Sequence, residues 1–178
     1  MLLDPVYPIE PLGPEHDRAA FSCGVPLLDT FLHERVGQFA QRHLARPFVM
    51  VDPASSGEKK AIAGYYTLAA HGLDHEEMPD DLRKRLPKRI RVGVTLIGYL
   101  AVDQRYQGQG LGKLLLYDAL YRALQASRQV ASRAVIVDAI DEAARAFYER
   151  YDFIRFADES SRLYLPMDMI AAMFAPDA

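Results

Sequence analysis

The sequence predicts an α/β (α+β) fold, a mixed sheet with helices on its faces, and three observations carry that expectation. PFVMVD and AIAGYYTLAA flank a stretch of Asp, Pro, Ser and Gly and read as two strands joined by a turn. TLIGYLAVD and RAVIVDA are nearly continuous apolar runs, the pattern of strands covered on both faces. Residues 26–44 and 110–127 place apolar side chains at helical spacing.

In order, YPIEPL is a short edge strand, with prolines at its borders where a strand tolerates them. Residues 26–44 form an amphipathic helix whose inner face carries Leu27, Leu28, Phe31, Leu32, Val36, Phe39, Ala40 and Leu44, with a break expected near Gly37. In the return strand AIAGYYTLAA, Ile62, Gly64, Tyr66 and Leu68 share one face. HGLDHEEMPDDLRKRLPKRIRV is a polar excursion too irregular for one long helix. The helix over 110–127 turns Leu111, Leu114, Leu115, Ala119, Leu120 and Leu124 inward. EAARAFYERY is a short helix, and FIRF and RLYLP close the chain as strands, giving the order β-α-β-β-β-α-β-α-β-β.

The chain has 178 residues, the size of one domain with a real core, so 1–178 is expected to be a single domain. A formal net charge of −3 provides no global basic field for nucleic acid, so any such attraction must be local. The one cysteine, Cys23, excludes an internal disulfide framework and reads as a small buried hydrophobe. MLLDPVYPIE has no basic n-region and the chain has no long apolar stretch, so the expected location is the cytoplasm, away from membranes.

DQRYQGQGLGK, directly after the apolar strand, has the look of a phosphate-binding turn. A dinucleotide loop needs G-x-G-x-x-G and an acidic residue about 20 residues on. Here Gly108, Gly110 and Gly112 are one residue short, and Asp138 is too distant. A P-loop needs a hydroxyl after its Gly-Lys pair, and Leu114 follows Lys113. What remains is [R/Q]-x-x-G-x-[G/A], filled by Arg105, Gly108 and Gly110, which suits the pyrophosphate of coenzyme A, or else a turn that merely connects two elements.

LAVDQRYQGQGLGKLLL and VDAIDEAARAFYERYDF, in this order and spacing, resemble the two cofactor segments of the GNAT acyl-CoA N-acyltransferase superfamily. The N-terminal string resembles a narrower group, the GNAT toxins of bacterial toxin–antitoxin pairs. It does so through His16-Asp17-Arg18, Phe21, Cys23-Gly24, Leu28-Asp29, Phe31-Leu32, and Gln38 with Arg42. The resemblance implies a GNAT fold, a mostly antiparallel sheet of about six or seven strands with helices on both faces. It also implies acetyl transfer from acetyl-CoA to the α-amino group of aminoacyl-tRNA, which blocks translation, and a ribbon-helix-helix antitoxin as partner. A homodimer is expected because such a sheet leaves an edge free. The implied cofactor site comprises Leu100, Ala101 and Val102 on the strand, Arg105, Gln107, Gly108, Gln109 and Gly110 in the loop, Leu111, Gly112 and Lys113 at the helix start, and Ala139 and Phe147 beyond.

Acetyl transfer from a thioester requires a neutral amine, a stabiliser for the oxyanion and a proton for the departing thiolate. Tyr148 is the candidate acid: a phenol near pKa 10 roughly matches a thiol near 8.5, and the resemblance implies a tyrosine beside the coenzyme sulfur. Glu142, Glu149 and Asp138 are available as bases, but an α-amine beside an ester is weakly basic and needs none. The oxyanion donor is expected among the backbone N–H groups of YLAV.

Arg83, Lys84, Arg85, Lys88, Arg89 and Arg91 form a basic segment in an otherwise acidic chain. It is either a solvated face balancing DHEEMPDD or a phosphate-backbone site for tRNA, extended by Arg18, Arg42 and Arg46. His71 and His75 have the spacing of a helical metal pair but lack the H-E-x-x-H order, so no metal is expected. Two positions depart from the family pattern: Tyr99 replaces a common arginine, and Asp152 replaces the glycine that leaves the tyrosine helix. Acetylation of a small-molecule or protein amine, and a non-catalytic acyl-CoA-binding regulator, are the competing readings.

Overall fold

The structure, a computed structural model, describes residues 7–157 and 160–176, so residues 1–6 of the N-terminal stretch lie outside it. In chain order the strands are β1 (Ile9–Pro11), β2 (His16–Asp17), β3 (Arg46–Val51), β4 (Lys60–Asp74), β5 (Arg91–Val102), β6 (Ala134–Asp138), β7 (Ile154–Arg155) and β8 (Arg162–Pro166). The helices are α1 (Pro26–Thr30), α2 (Val36–Gln41), α3 (Asp80–Arg83), α4 (Leu111–Ser127), α5 (Glu142–Arg150) and α6 (Met167–Met173). The chain divides into two compact units, one drawn from Met1–Ala69 and Gly98–Ala119, the other from Ala70–Ile97 and Leu120–Ala178. β4, β5 and α4 each contribute residues to both.

In the first unit, β1 lies antiparallel to β3, and β3 antiparallel to β4, with Phe48 opposite Tyr66 and Val49 opposite Tyr65. β2, too short to stand out in the sequence, runs parallel to the start of β4 through His16 and Lys60. Phe21, Leu28, Phe31, Leu32, Val36, Val49, Ile62, Tyr65 and Ala101 make its core. Each fully buried large side chain among them contributes about 1.5–3 kcal/mol.

The expected helix over 26–44 is real but differs in two ways. Its irregularity is a π turn at Phe31–Arg35, ahead of Gly37. The cause is visible: the Tyr65 hydroxyl donates to the Leu28 carbonyl at 2.7 Å, intruding on the helical ladder, and the Val36 N–H then reaches back to Phe31. The helix ends at Gln41, where His43 takes a left-handed φ of 57°. Leu44 therefore falls beyond it and is 53% exposed, and Leu27 is 57% exposed; neither is on the inner face.

The second unit orders its strands β5-β6-β8-β7. β5 and β6 are parallel, with Leu96 opposite Ile136, while β6–β8 and β7–β8 are antiparallel. β6 is buried from Ala134 to Val137, as its apolar run predicts. β5 is not covered throughout: Ile97 and Ala101 are buried, Gly98 is exposed, and Leu96, Tyr99 and Leu100 are half-buried. β4 continues through His71-Gly72-Leu73-Asp74, and the polar excursion is reduced to a one-turn 3-10 helix at His75–Glu77, α3 and a coil. α6, which carries the buried Ile170, lies beyond the last element legible in the sequence. In α4, Leu111, Leu115, Ala119, Leu120 and Leu124 are buried as expected; Leu114 is half-buried, and Leu116 takes a buried place instead.

Candidate functional site

The glycine-rich loop belongs to the first unit. β5 ends at Val102, and the buried carboxylate of Asp103 then caps the one-turn 3-10 helix Gln104–Tyr106. Its Oδ1 accepts the Arg105 amide at 2.8 Å and the Arg105 Nε at 3.0 Å; its Oδ2 accepts Arg105 Nη2 at 3.2 Å and the Ser22 amide at 2.9 Å. Burial alone would push this carboxyl up, but the Arg105 side chain and the Ser22 and Arg105 amides outweigh it and hold the pKa below the usual range.

Gly108 and Gly110 follow with φ of 82° and 77°, the left-handed region that glycine occupies without strain. Nothing lies within 4 Å of where a side chain would start at either, so the backbone there faces open space. α4 begins at Leu111, whose buried side chain anchors the turn. The first-turn amides of Leu111, Gly112 and Lys113 have no carbonyl partner within the helix, and the helix dipole adds positive potential. This arrangement suits an anionic diphosphate held by main-chain N–H groups.

Arg105 and Gln107 play a different part from the one their motif positions suggest. The Arg105 guanidinium is turned back on Asp103, and Gln107 Nε2 donates to the carbonyls of Val102 (2.8 Å) and Cys23 (3.1 Å). Gln109 Oε1 accepts from the Tyr7 hydroxyl at 3.3 Å, and the Lys113 ammonium lies 5.4 Å from the Tyr117 ring centroid. Of the strand residues, Ala101 is buried and its carbonyl sits 3.0 Å from where a Gly64 side chain would start, while Leu100 and Val102 are half-buried. Cys23 is buried and its thiol is pushed up to about 11, by burial foremost, the profile of a packed hydrophobe rather than a nucleophile.

Tyr148 belongs to the second unit, on α5. Asp141 caps that helix, accepting the Ala144 amide at 2.8 Å. A Schellman closure ends it: the Phe153 amide donates to the Tyr148 carbonyl (3.2 Å) and the Asp152 amide to Glu149 (3.1 Å), with Asp152 at φ 71°. The hydrophobic contact of that motif is Phe153 on Tyr148, ring centroids 5.3 Å apart. The glycine replaced by Asp152 has thus kept its left-handed backbone. Phe147, half-buried, packs edge-on against Tyr148 at 5.2 Å. Tyr148 is buried, and burial pushes its phenol above the ordinary value near 10. Ala139 is buried and its amide donates to Ser161 at 2.9 Å.

The three acidic residues available as bases are all engaged: Glu142 with Arg145, Glu149 with Arg155 Nε at 2.7 Å, and Asp138 with Arg162 Nε at 2.9 Å. In the basic segment, Arg83 pairs with Asp80 and Arg91 with Asp74. Lys84, Arg85, Lys88 and Arg89 are exposed, and Arg85 and Arg89 sit at left-handed φ of 62° and 64°.

Among the described residues, Glu10, Glu15 and His16 form a group with metal-ligand chemistry, rather than His71 and His75. Internal partners fill it: His16 Nδ1 accepts the Gly13 amide at 2.9 Å, and Nε2 meets Glu10, which also takes Lys60 at 2.9 Å.

Asp103, Ser22 and the Cys23 carbonyl are not legible as site residues in the sequence, because Asp103 and Ser22 meet across 81 positions of chain. The Asp141 cap, directly before the helical EAARAF, carries its signal in the sequence.

The sequence profile of the Acetyltransferase (GNAT) family matches residues 17–153. The chain is 36% identical over 137 residues to a protein of Mycobacterium tuberculosis (strain ATCC 25618 / H37Rv) named tRNA-acetylating toxin, covering 77% of this chain and 78% of that protein. A solved structure of a Tyr→Phe mutant of KacT superposes with a TM-score of 0.86 at 30% identity, covering 94% of this chain and 99% of that one. AtaT complexed with acetyl-methionyl-tRNAfMet superposes at 0.84 and 26% identity, covering 95% and 99%. A Tyr→Phe mutant of AtaT, bound to acetyl-CoA and the C-terminus of the antitoxin AtaR, gives 0.80 and 25%, covering 96% and 99%. The matched family residues include both the glycine-rich loop and the tyrosine helix, and the chain belongs to the GNAT acetyltransferase family.

Proposed function

We propose that the chain is a toxin enzyme that transfers acetyl from acetyl-CoA to the α-amino group of an aminoacyl-tRNA, leaving a tRNA that cannot continue translation. The observation that carries this reading is the 36% identity to the tRNA-acetylating toxin over 77% of the chain. The AtaT structures with acetyl-CoA and with acetyl-methionyl-tRNAfMet support it, as does the open, amide-lined turn at Gly108 and Gly110.

In this reading the neutral amine attacks the thioester carbonyl, the carbon–sulfur bond breaks, and the amine's surplus proton passes to solvent. Tyr148 delivers a proton to the departing sulfur, giving free coenzyme A, and is reprotonated from solvent. Burial keeps the phenol protonated across the working range, as an ordinary phenol already is, and makes it a weaker acid towards the thiolate, so the role rests on the resemblance rather than on this shift. No side-chain base is required: an aminoacyl ester lowers the basicity of its α-amine, whose ordinary value is about 8, and the engaged state of Glu142, Glu149 and Asp138 supports this. Main-chain N–H groups of Leu100, Ala101 and Val102 serve as oxyanion donors and, with Gly108 to Lys113, bind the coenzyme; Ala139 and Phe147 line it further on. Arg83, Lys84, Arg85, Lys88, Arg89 and Arg91 meet tRNA phosphates. Residues 1–178 act as one acyltransferase domain, a reading supported by a family match that draws on both units.

The partner proposed is a ribbon-helix-helix antitoxin; the AtaT–AtaR complex supports a protein antitoxin, and the toxin resemblance supports its class. No helix among the described residues is long and apolar enough to cross a membrane. The enzyme is proposed to act in the cytoplasm as a homodimer.

The test is incubation with labelled acetyl-CoA and total aminoacylated tRNA. Label in the tRNA fraction that survives as N-acetyl-aminoacyl ester is expected. Label transfer to small amines or proteins but to no charged tRNA refutes the toxin reading.

A further inference from the structure

We propose that Gln107 and Asp103 are positioning residues that staple Phe21-Ser22-Cys23-Gly24 to the glycine-rich loop, making this N-terminal segment part of the coenzyme site without touching the coenzyme. The inference rests on the acetyl-CoA reading above. The Ser22 amide donates to Asp103 Oδ2 (2.9 Å), and the Gln104 amide donates back to the Ser22 carbonyl (2.8 Å). Gln107 Nε2 then bridges two carbonyls, Cys23 at 3.1 Å and Val102 at 2.8 Å. Both of its protons are directed into the protein, so the side chain orients the loop while its main-chain N–H, next to Gly108, stays available to an anion. The segment is itself shaped for this contact. Gly24 has φ 89°, and a side chain there would start 2.6 Å from Gln104 Nε2. The Cys23 amide donates to Asp29 Oδ1 at 2.8 Å, tying the staple onward to α1.

Gly108 and Gly110 themselves face open space, so the loop is ordered from its flanks, by the staple together with the Tyr106–Asp52 hydrogen bond and the buried Leu111. Pre-ordering by the staple therefore sets coenzyme affinity while leaving the chemical step alone.

Gln107→Leu removes the bridge at an exposed position, and Gly24→Ala disturbs it from the other side. Calorimetry with coenzyme A and steady-state transfer would be measured for each, for the double variant and for the parent, with thermal midpoints as controls. Each single variant is expected to raise Kd and KM for the coenzyme about ten-fold, with kcat at saturation within about two-fold. The double variant is expected to be no worse than the poorer single one, because both cut the same staple. Unchanged coenzyme affinity in Gln107→Leu, or losses that multiply in the double variant, overturn the staple. A parent that binds no coenzyme A overturns the acyl-CoA reading itself. Asp103→Asn supplies an independent arm, since its amide would face two donors; if it folds and binds like the parent, the proposal also falls.

Discussion

Tyr148→Phe separates the chemistry of the tyrosine from its packing. The ring is only 8% exposed and is held by Phe147 at 5.2 Å and Phe153 at 5.3 Å. Phenylalanine keeps both contacts and the Schellman closure, because that closure uses the main-chain carbonyl. Removing a hydroxyl whose desolvation raises its pKa relieves an unfavourable burial, so stability should change by under about 0.5 kcal/mol. Under the proposed acid role the proton for the thiolate is lost, however, and a positioned general acid contributes roughly 10²–10⁴-fold. At 1.36 kcal/mol per decade this is about 3–5 kcal/mol of transition-state stabilisation. Single-turnover acetyl transfer to charged tRNA would read the rate, calorimetry the coenzyme affinity and a denaturant titration the stability. The parent should also show no fall in rate from phenol ionisation up to about pH 9, because burial raises that pKa above its ordinary value near 10. A Phe variant within two-fold of the parent in rate would refute the acid role.

Arg85→Glu with Arg89→Glu should raise KM for tRNA and lower the salt slope of binding by about 0.9 for each phosphate no longer neutralised; equal loss with a small amine would count against tRNA recognition. Tyr99→Ala should cost about 2–3 kcal/mol in denaturant unfolding, because its ring stacks on buried Phe31 at 3.8 Å yet is itself only half-buried. Tyr99→Phe should stay within about 0.5 kcal/mol. Asp152→Gly should be neutral or stabilising by up to about 1 kcal/mol, and Asp152→Val destabilising, because φ is 71°; thermal midpoints decide. Asp103 has a carboxyl pKa held below its unfolded value of about 3.9. Its stabilisation is therefore full above that value and lost as pH falls through the lower folded-state pKa. Asp103→Asn should flatten the acid limb of stability against pH; an unchanged limb would remove Asp103 from that account.

The glycines at 108 and 110 are legible in the sequence because a left-handed backbone beside an anion explains that spacing before a helix, and both adopt positive φ. Tyr148 is legible through its helix, and Asp152 through its place at the helix exit. The π turn is not legible, since it arises where Tyr65, on a distant strand, takes the Leu28 carbonyl. α6 and β2 escape the sequence patterns because one extends past the last strong pattern and the other is two residues long. The basic segment reads as a single run of like charge, but Arg83 and Arg91 find acids nearby, while Lys84, Arg85, Lys88 and Arg89 stay exposed to solvent.

Local chemistry along the chain thus determined the fold class, the glycine-rich strand–loop–helix turn and the tyrosine helix, because periodicity, glycine conformation and helix capping act within a few residues; the acyl-CoA followed from the family resemblance. Tertiary structure alone decided which polar side chains of the motif turn inward on the protein. Arg105 and Gln107 stand in the motif, yet one is claimed by Asp103 and the other by the Cys23 and Val102 carbonyls. Hydrogen bonds that join positions more than 80 apart in the chain leave no mark on either stretch alone.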